Sequence, residues 1–135
     1  MLRPLKQTDY SNVKQLFHDI FDQTEDTLFK QAWKNRTQSM SLGVWDQGLL
    51  VGAIVVQPEC NSCIQRIEYL FVHESYRTHG VGSLLLKTVL KNCCTIHLTA
   101  VEDPIVRAWY KKYGFHQTSE NIFVRLSYML RSKRI

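Results

Sequence analysis

The stretch Leu70-Phe71-Val72-His73-Glu74-Ser75-Tyr76-Arg77-Thr78-His79-Gly80-Val81-Gly82-Ser83-Leu84-Leu85-Leu86 decides the fold. The residues from Ile64 to Val72 are mostly apolar, β-branched or aromatic and read as a long strand. Beyond the two glycines, Val81, Leu84, Leu85 and Val89 recur at helical spacing, with Lys87 and Lys91 on the opposite side. A strand therefore passes through a glycine turn directly into a helix over Gly80 to Lys91. The N-terminus of such a helix presents unpaired backbone N–H groups and a partial positive charge, which together attract phosphate. Gly80 and Gly82 have no side chain to hold a pyrophosphate off the backbone. Arg77 is placed to add charge-assisted hydrogen bonds.

Other phosphate loops make sharper demands. A nucleotide-hydrolysing P-loop carries Lys-Ser/Thr after its last glycine, whereas Gly82 is followed by Ser83-Leu84. The dinucleotide fingerprint needs a third glycine where Leu85 stands. Two glycines also suit a plain strand-to-helix turn, so the rest of the chain has to decide.

Working outward, residues 1 to 5 read as a short strand. Thr8-Asp9 is then placed to cap a helix with Val13, Leu16, Phe17, Ile20 and Phe21 on one face. A second helix runs from about Thr24, with Leu28, Phe29, Ala32 and Trp33 at helical spacing. Residues 41 to 46 and 49 to 57 read as strands joined by a hairpin at Asp46-Gln47-Gly48. Thr95 to Val101 is a strand, and Asp103-Pro104 opens a helix whose buried side is Ile105, Val106, Trp109, Tyr110 and Tyr113. Gly114 ends that helix, and strands follow over 115 to 118 and 122 to 130. The order β-α-α-β-β-β-α-β-α-β-β defines an α/β fold, a mixed sheet with helices on both faces. No repeat or linker breaks residues 1–135, which read as one domain.

In this context the chain resembles the GNAT superfamily of acetyl-CoA-dependent N-acyltransferases. The family's pyrophosphate signature, Gln/Arg-x-x-Gly-x-Gly/Ala, is matched by Arg77-Thr78-His79-Gly80-Val81-Gly82 after a strand ending Leu70-Phe71-Val72. A second landmark, an aromatic residue five positions before Gly-Phe's phenylalanine, is matched by Tyr110-Lys111-Lys112-Tyr113-Gly114-Phe115. The opening Leu2-Arg3-Pro4 leading to Asp9 also looks like the family's start, so the resemblance covers nearly the whole chain.

The resemblance implies a mostly antiparallel sheet with a V-shaped split between central strands. The pantetheine arm would pair with Leu70, Phe71 and Val72, and the pyrophosphate would rest on the amides of Thr78, His79, Gly80, Val81, Gly82 and Ser83. Acetyl-CoA is then the acyl donor, attacked directly by an amine. That reaction needs a neutral amine and a proton for the departing thiolate. Tyr110, by pattern alone an ordinary core tyrosine, matches the family's proton donor. Glu68, nine residues before Arg77, has a spacing similar to that of the glutamate base of histone-acetylating members. By pattern it is equally a strand residue paired with Arg66. His97 and His116 are reserve bases. Many relatives carry asparagine where this chain has Asp103, a carboxylate that would repel a CoA phosphate even if it touches the cofactor.

Acceptor choice in such proteins lies largely in the first two helices and the loop between them. Here Asp19, Asp22, Glu25 and Asp26 fall within eight residues, with no lysine or arginine among them. Asp22, Glu25 and Asp26 would attract a cationic acceptor such as a polyamine, a lysine side chain or a basic peptide. The same residues also serve as helix caps and a solvated acidic end.

Composition sets the remaining bounds. With 44% hydrophobic and 21% charged residues, the chain reads as globular, and its apolar runs are far too short to span a bilayer. Met1 to Lys6 lacks a signal peptide's apolar segment, so a cytoplasmic location with reduced cysteines is expected. Cys60-x-x-Cys63 and the adjacent Cys93-Cys94 make poor geometry for zinc, and no metal is expected. The net charge of +5 suits a polyanionic cofactor as well as nucleic acid, but basic residues are massed only at Arg131-Ser132-Lys133-Arg134. Nucleic acid is therefore a distant alternative and a catalytically silent CoA-binding module a nearer one. Edge strands are compatible with either a monomer or a homodimer.

Overall fold

A computed structural model describes residues 1–21, 26–59, 64–93, 95–100, 103–119 and 122–126, with the backbone alone described at 124–126. The elements in chain order are β1 (Leu2–Pro4), α1 (Tyr10–Ile20), α2 (Asp26–Lys34), β2 (Leu42–Asp46), β3 (Leu49–Pro58) and β4 (Ile64–Val72). They continue with α3 (Val81–Lys91), β5 (Thr95–Thr99), α4 (Pro104–Lys112), β6 (His116–Gln117) and β7 (Ile122–Leu126). This is the order expected from the sequence. The hairpin between β2 and β3 turns on Gln47 (φ 49°) and Gly48 (φ 82°), the two left-handed residues that a tight two-residue turn needs.

The seven strands form a mixed sheet in the order β1-β2-β3-β4-β5-β7-β6. Every neighbouring pair is antiparallel except β4 and β5. That one parallel pair is short, joining Ile64–Ile67 to Thr95–Leu98. From Tyr69 to Val72, β4 is paired with β3 but not with β5, so the sheet opens between its two central strands.

A bulge marks the point where it opens. On β3, Val55 and Val56 are consecutive, yet they face Tyr69 and Ile67, which leaves Glu68 as the extra residue of β4. An extra residue re-aims the side chains that follow it. Ile67 accordingly packs with the α3 and α4 side of the sheet, whereas Tyr69 and Phe71 pack with the α1 and α2 side. Leu70 returns to the α3 and α4 side, so both faces of β4 remain apolar along the split.

The two helical layers close separate cores. Under α1 and α2 lie Val13, Phe17, Phe29, Trp33, Val55 and Phe71, with the Phe17 and Phe29 ring centroids 4.3 Å apart. Under α3 and α4 lie Ile54, Ile67, Leu85, Leu86, Phe115 and Phe123. Fully burying side chains of this kind stabilises by roughly 1.5–3 kcal/mol each.

Three local expectations are corrected. Asp9 does not cap α1; its carboxylate accepts from Arg3 Nη1 at 2.8 Å, from Arg3 Nη2 at 3.0 Å and from the Lys6 N–H at 2.7 Å. It ties β1 to the single 3-10 turn Gln7–Asp9 that precedes the helix, and the Arg3 hydrogen bonds hold its carboxyl below the usual range. Leu84, placed by its spacing on the buried side of α3, is 45% exposed. Ile105, expected in the core face of α4, is 81% exposed because that end of the helix borders a cavity. The left-handed Gly114 at the end of α4 (φ 93°) and the Asp103 cap are as expected.

Candidate active site

The cavity lies against the end of β4 that β5 leaves unpaired. It has a volume of about 560 Å³, and its walls come from the end of β4 (Leu70, Phe71, Val72), the turn after it, the first turn of α3 and one side of α4. At the far end it reaches Ile20 and Phe21, where α1 stops.

The turn is built from the sequence that follows β4. His73 Nδ1 accepts from the Ser75 N–H at 3.1 Å, closing a short 3-10 turn over Glu74–Tyr76. Tyr76 lines the cavity and donates its hydroxyl to Asp46 at 2.8 Å, anchoring this turn to the β2–β3 hairpin. Arg77 reaches back to donate Nε to the Val72 carbonyl at 3.2 Å, which holds its guanidinium at the cavity rim. Thr78 has φ 68°, a left-handed conformation that costs a β-branched residue on the order of 1–3 kcal/mol. Two hydrogen bonds to the Arg77 carbonyl support it, one from the Thr78 hydroxyl and one from His79 Nδ1 at 2.9 Å.

Gly80 is the N-cap of α3 at φ 84°, ψ 6°, and a methyl group added there would meet nothing within 4 Å. Glycine is required at this position by conformation rather than by space. The first intrahelical bond runs from the Leu84 N–H to the Gly80 carbonyl at 2.9 Å, leaving the N–H groups of Val81, Gly82 and Ser83 without helical acceptors. Gly82 stands opposite Val72 and Trp109, and its bare face leaves the gap between α3 and α4 open. The result is three backbone donors, a helix dipole and a guanidinium at one end of an apolar slot. A pyrophosphate with an apolar extension matches this arrangement.

Tyr110 lines the same slot from α4 and is only 8% exposed. Its ring lies edge-on to Trp109 and Phe115, and among the described residues its hydroxyl has no hydrogen-bond partner. Burial pushes its pKa up to about 12, so it is a neutral phenol across the physiological range, fit to donate and unfit to act as a base. Tyr113, one turn on, donates its hydroxyl to Ser83 Oγ at 2.6 Å and fastens the end of α4 to the first turn of α3.

Glu68 does not line the slot. It sits at its foot, where pairing with β5 ends, and belongs to a polar cluster that the sequence did not disclose. Arg66 Nε lies 3.3 Å from Glu68 Oε1, Arg66 Nη1 lies 3.1 Å from Glu59 Oε1, and Arg66 Nη2 donates to Thr99 Oγ1 at 2.7 Å. His97 Nδ1 donates to Glu59 Oε2 at 2.6 Å. Burial raises the Glu68 pKa, the Arg66 charge partly offsets this, and Glu59 adds to the rise. The pairing with Arg66 expected of a strand residue is therefore present.

The other expected residues are distributed as follows. Asp103 is committed as the cap of α4, its Oδ1 accepting the Ile105 N–H at 2.9 Å, and neither it nor His79 is among the lining residues. Asp26 accepts a hydrogen bond from His18 Nε2, which lowers its pKa and links α2 to the last turns of α1. Asp22 and Glu25, like Cys60, Cys63, Cys94 and the basic tail at 131–134, lie outside the described residues. Cys93 donates its thiol to the Thr95 carbonyl at 3.0 Å. His116, on β6, is exposed and well outside the slot. The walls Ile20, Phe21, Ile105, Val106 and Trp109 had read as helix core. No helix among the described residues is long and apolar enough to cross a membrane.

Comparison with known proteins identifies the family and the fold. A family model described as an acetyltransferase (GNAT) domain matches residues 7–127. The chain belongs to the GNAT acetyltransferase family. Ard1 from Thermoplasma volcanium superposes with a TM-score of 0.73 at 22% identity, covering 93% of this chain and 96% of that one. Naa50 from Arabidopsis thaliana, solved in complex with the bisubstrate analogue CoA-Ac-MVNAL, gives 0.74 at 22% identity, covering 92% and 95%. YhbS from Escherichia coli, a GNAT family N-acetyltransferase in complex with CoA, gives 0.77 at 18% identity, covering 93% and 80%. At these identities the likeness establishes the fold. A search among curated proteins finds no match.

Proposed function

We propose that the protein is an N-acetyltransferase that moves the acetyl group of acetyl-CoA to a primary amine held beside it in a ternary complex. One observation carries this reading: a single slot connects the unpaired N–H groups of Val81, Gly82 and Ser83, the unpaired edge of β4 and the buried Tyr110 hydroxyl. Arg77 and the α3 N-terminus would hold the pyrophosphate. Leu70 and Val72 would present backbone groups to the pantetheine amides in place of the missing β5 partner.

The amine nitrogen attacks the thioester carbonyl, the C–N bond forms and the C–S bond breaks. Tyr110 donates a hydrogen bond, and finally a proton, to the departing sulfur. Glu68, at the foot of the slot and outside its lining, takes up the proton lost by the amine through an intervening water, its raised pKa bringing it closer to the working range of a base. Ile20, Phe21 and Phe71 make the far wall apolar, which favours an amine flanked by an apolar group, such as the first residue of a peptide. The cationic acceptor expected from Asp22, Glu25 and Asp26 has weaker support, since Asp26 is already paired with His18.

The test is thiol release from acetyl-CoA against separate panels of peptides, polyamines, amino acids and small amines. Turnover with at least one panel is expected. Acetyl-CoA binding without turnover on any panel would instead mark a CoA-binding module. For the base, Glu68→Gln is expected to lower kcat/KM by about 100-fold. A base acts deprotonated, so the wild-type rate falls as pH drops through the raised Glu68 pKa, and the variant loses this acid limb. An acid limb that survives unchanged assigns the proton to another acceptor.

A further inference from the structure

Three strands contribute to a polar cluster beside the last paired residues of β4 and β5. Arg66 stands opposite Gln57 on β3 and His97 on β5, and residues directly opposite one another share a face of the sheet. Its guanidinium divides its three nitrogens among three partners. Nε lies 3.3 Å from Glu68 Oε1, Nη1 donates to Glu59 Oε1 at 3.1 Å, and Nη2 donates to Thr99 Oγ1 at 2.7 Å. The second oxygen of Glu59, Oε2, lies 2.6 Å from His97 Nδ1. A guanidinium binds a carboxylate most strongly as a fork, with two parallel N–H bonds to its two oxygens. The fork that would close on Glu68 uses Nε and the neighbouring Nη2, and Thr99 occupies Nη2. Glu59, held in turn by His97, draws on the same positive charge through Nη1.

We propose that Glu59 is a positioning residue for Glu68: together with Thr99 it keeps Arg66 from closing a forked ion pair, so that the Glu68 carboxylate stays free to take a proton. The inference rests on the reading of Glu68 as the base. A carboxylate locked in a fork with arginine is held ionised and takes up a proton poorly, whereas one half-buried with no cation nearby is protonated before the amine arrives. Sharing Arg66 between two carboxylates sets Glu68 between these extremes. The charged and titratable groups that face it are Arg66 on its own strand, Glu59 at the end of β3 and, through Glu59, His97 on β5. Burial acts most strongly on Glu68 and raises its pKa, Arg66 lowers it, and Glu59 adds to the rise. Glu59, Arg66 and His97 are not among the residues lining the cavity, so their influence on the reaction passes through Glu68 rather than through contact with acetyl-CoA.

The experiment follows the side-chain carboxyl 13C resonance of Glu68 through pH in the full chain, beside pH profiles of kcat/KM with acetyl-CoA and the best acceptor of the panels above. Glu59→Gln keeps the shape of the side chain and removes its charge. It is expected to lower the midpoint of the Glu68 titration, to move the acid limb of kcat/KM to lower pH in step, and to reduce the plateau about tenfold because the base is weaker. The KM for acetyl-CoA should not change. Thr99→Val keeps a β-branched residue at an exposed strand position, so the fold tolerates it, and it is expected to shift midpoint and limb in the same direction. In a Glu68→Gln background Glu59→Gln should cost nothing further. A Glu68 midpoint that stays in place in both variants, or an equal loss with and without Glu68, overturns the positioning role while leaving Glu68 as the base. A Glu68→Gln enzyme that keeps the wild-type rate and acid limb overturns both.

Discussion

Replacing Tyr110 with phenylalanine is expected to lower kcat by about 100-fold, equivalent to about 2.7 kcal/mol of transition-state stabilisation, while leaving the affinity for acetyl-CoA nearly unchanged. The substitution removes one oxygen and leaves the ring between Trp109 and Phe115, so the packing of α4 on the sheet survives. Among the described residues the hydroxyl has no partner, so its loss strands no other polar group. The effect should therefore fall on the step in which sulfur leaves.

The pH dependence adds a second constraint. A proton donor contributes while it is protonated, and Tyr110 keeps its proton until pH approaches its raised pKa of about 12. Tyr110 thus produces no basic limb below about pH 11, and the Tyr110→Phe profile should have the wild-type shape at a lower level. Steady-state rates across pH 6 to about 10 would check this. An unchanged kcat would remove Tyr110 from the mechanism, and a large loss of acetyl-CoA affinity would make it a binding residue instead.

The two motifs that point to this cleft are legible in the sequence because each is local. A strand, a glycine turn and a helix are neighbours in the chain, and so are Tyr110 and Phe115. The bulge at Glu68 is different in kind. Ile67, Tyr69, Leu70, Phe71 and Val72 are all apolar, so the sequence is compatible with either facing, and only pairing with β3 reveals which residue is extra. That bulge coincides with the end of β4–β5 pairing, hence with the foot of the cleft.

Amphipathic spacing misplaces Ile105 for a related reason. A periodic apolar face states that water is to be excluded, but not whether protein or ligand excludes it. Ile20 and Phe21 at the end of α1, and Ile105, Val106 and Trp109 on α4, line the cavity. The Glu59–Arg66–His97 cluster joins residues far apart in the chain and has no local pattern at all. Asp9 shows the same limit on a smaller scale, since a cap and an ion pair use the same carboxylate and the choice is made by where Arg3 lies.

Substituting tryptophan for Gly82 is expected to weaken CoA binding by at least about 100-fold, roughly 2.7 kcal/mol, without unfolding the protein. A Cβ at this position would lie 3.7 Å from Val72 Cγ2 and 3.8 Å from Trp109 Cζ2, ordinary contact distances that require no backbone movement. Gly82 has an ordinary helical conformation, since it is not among the residues of positive φ, so the backbone accepts a side chain. The indole must then occupy the gap between the end of β4 and α4, where the ligand would pass, and it covers the N–H groups of the first turn. Gly80→Ala provides the contrast. Its methyl group has free space, but φ 84° costs an alanine about 1 kcal/mol, so that variant should lose stability first and affinity only modestly. Thermal melts and CoA titrations of the two variants separate the contributions. If Gly82→Trp binds CoA as wild type does, the ligand does not lie across the first turn of α3, and the slot between β4 and α4 is not its path.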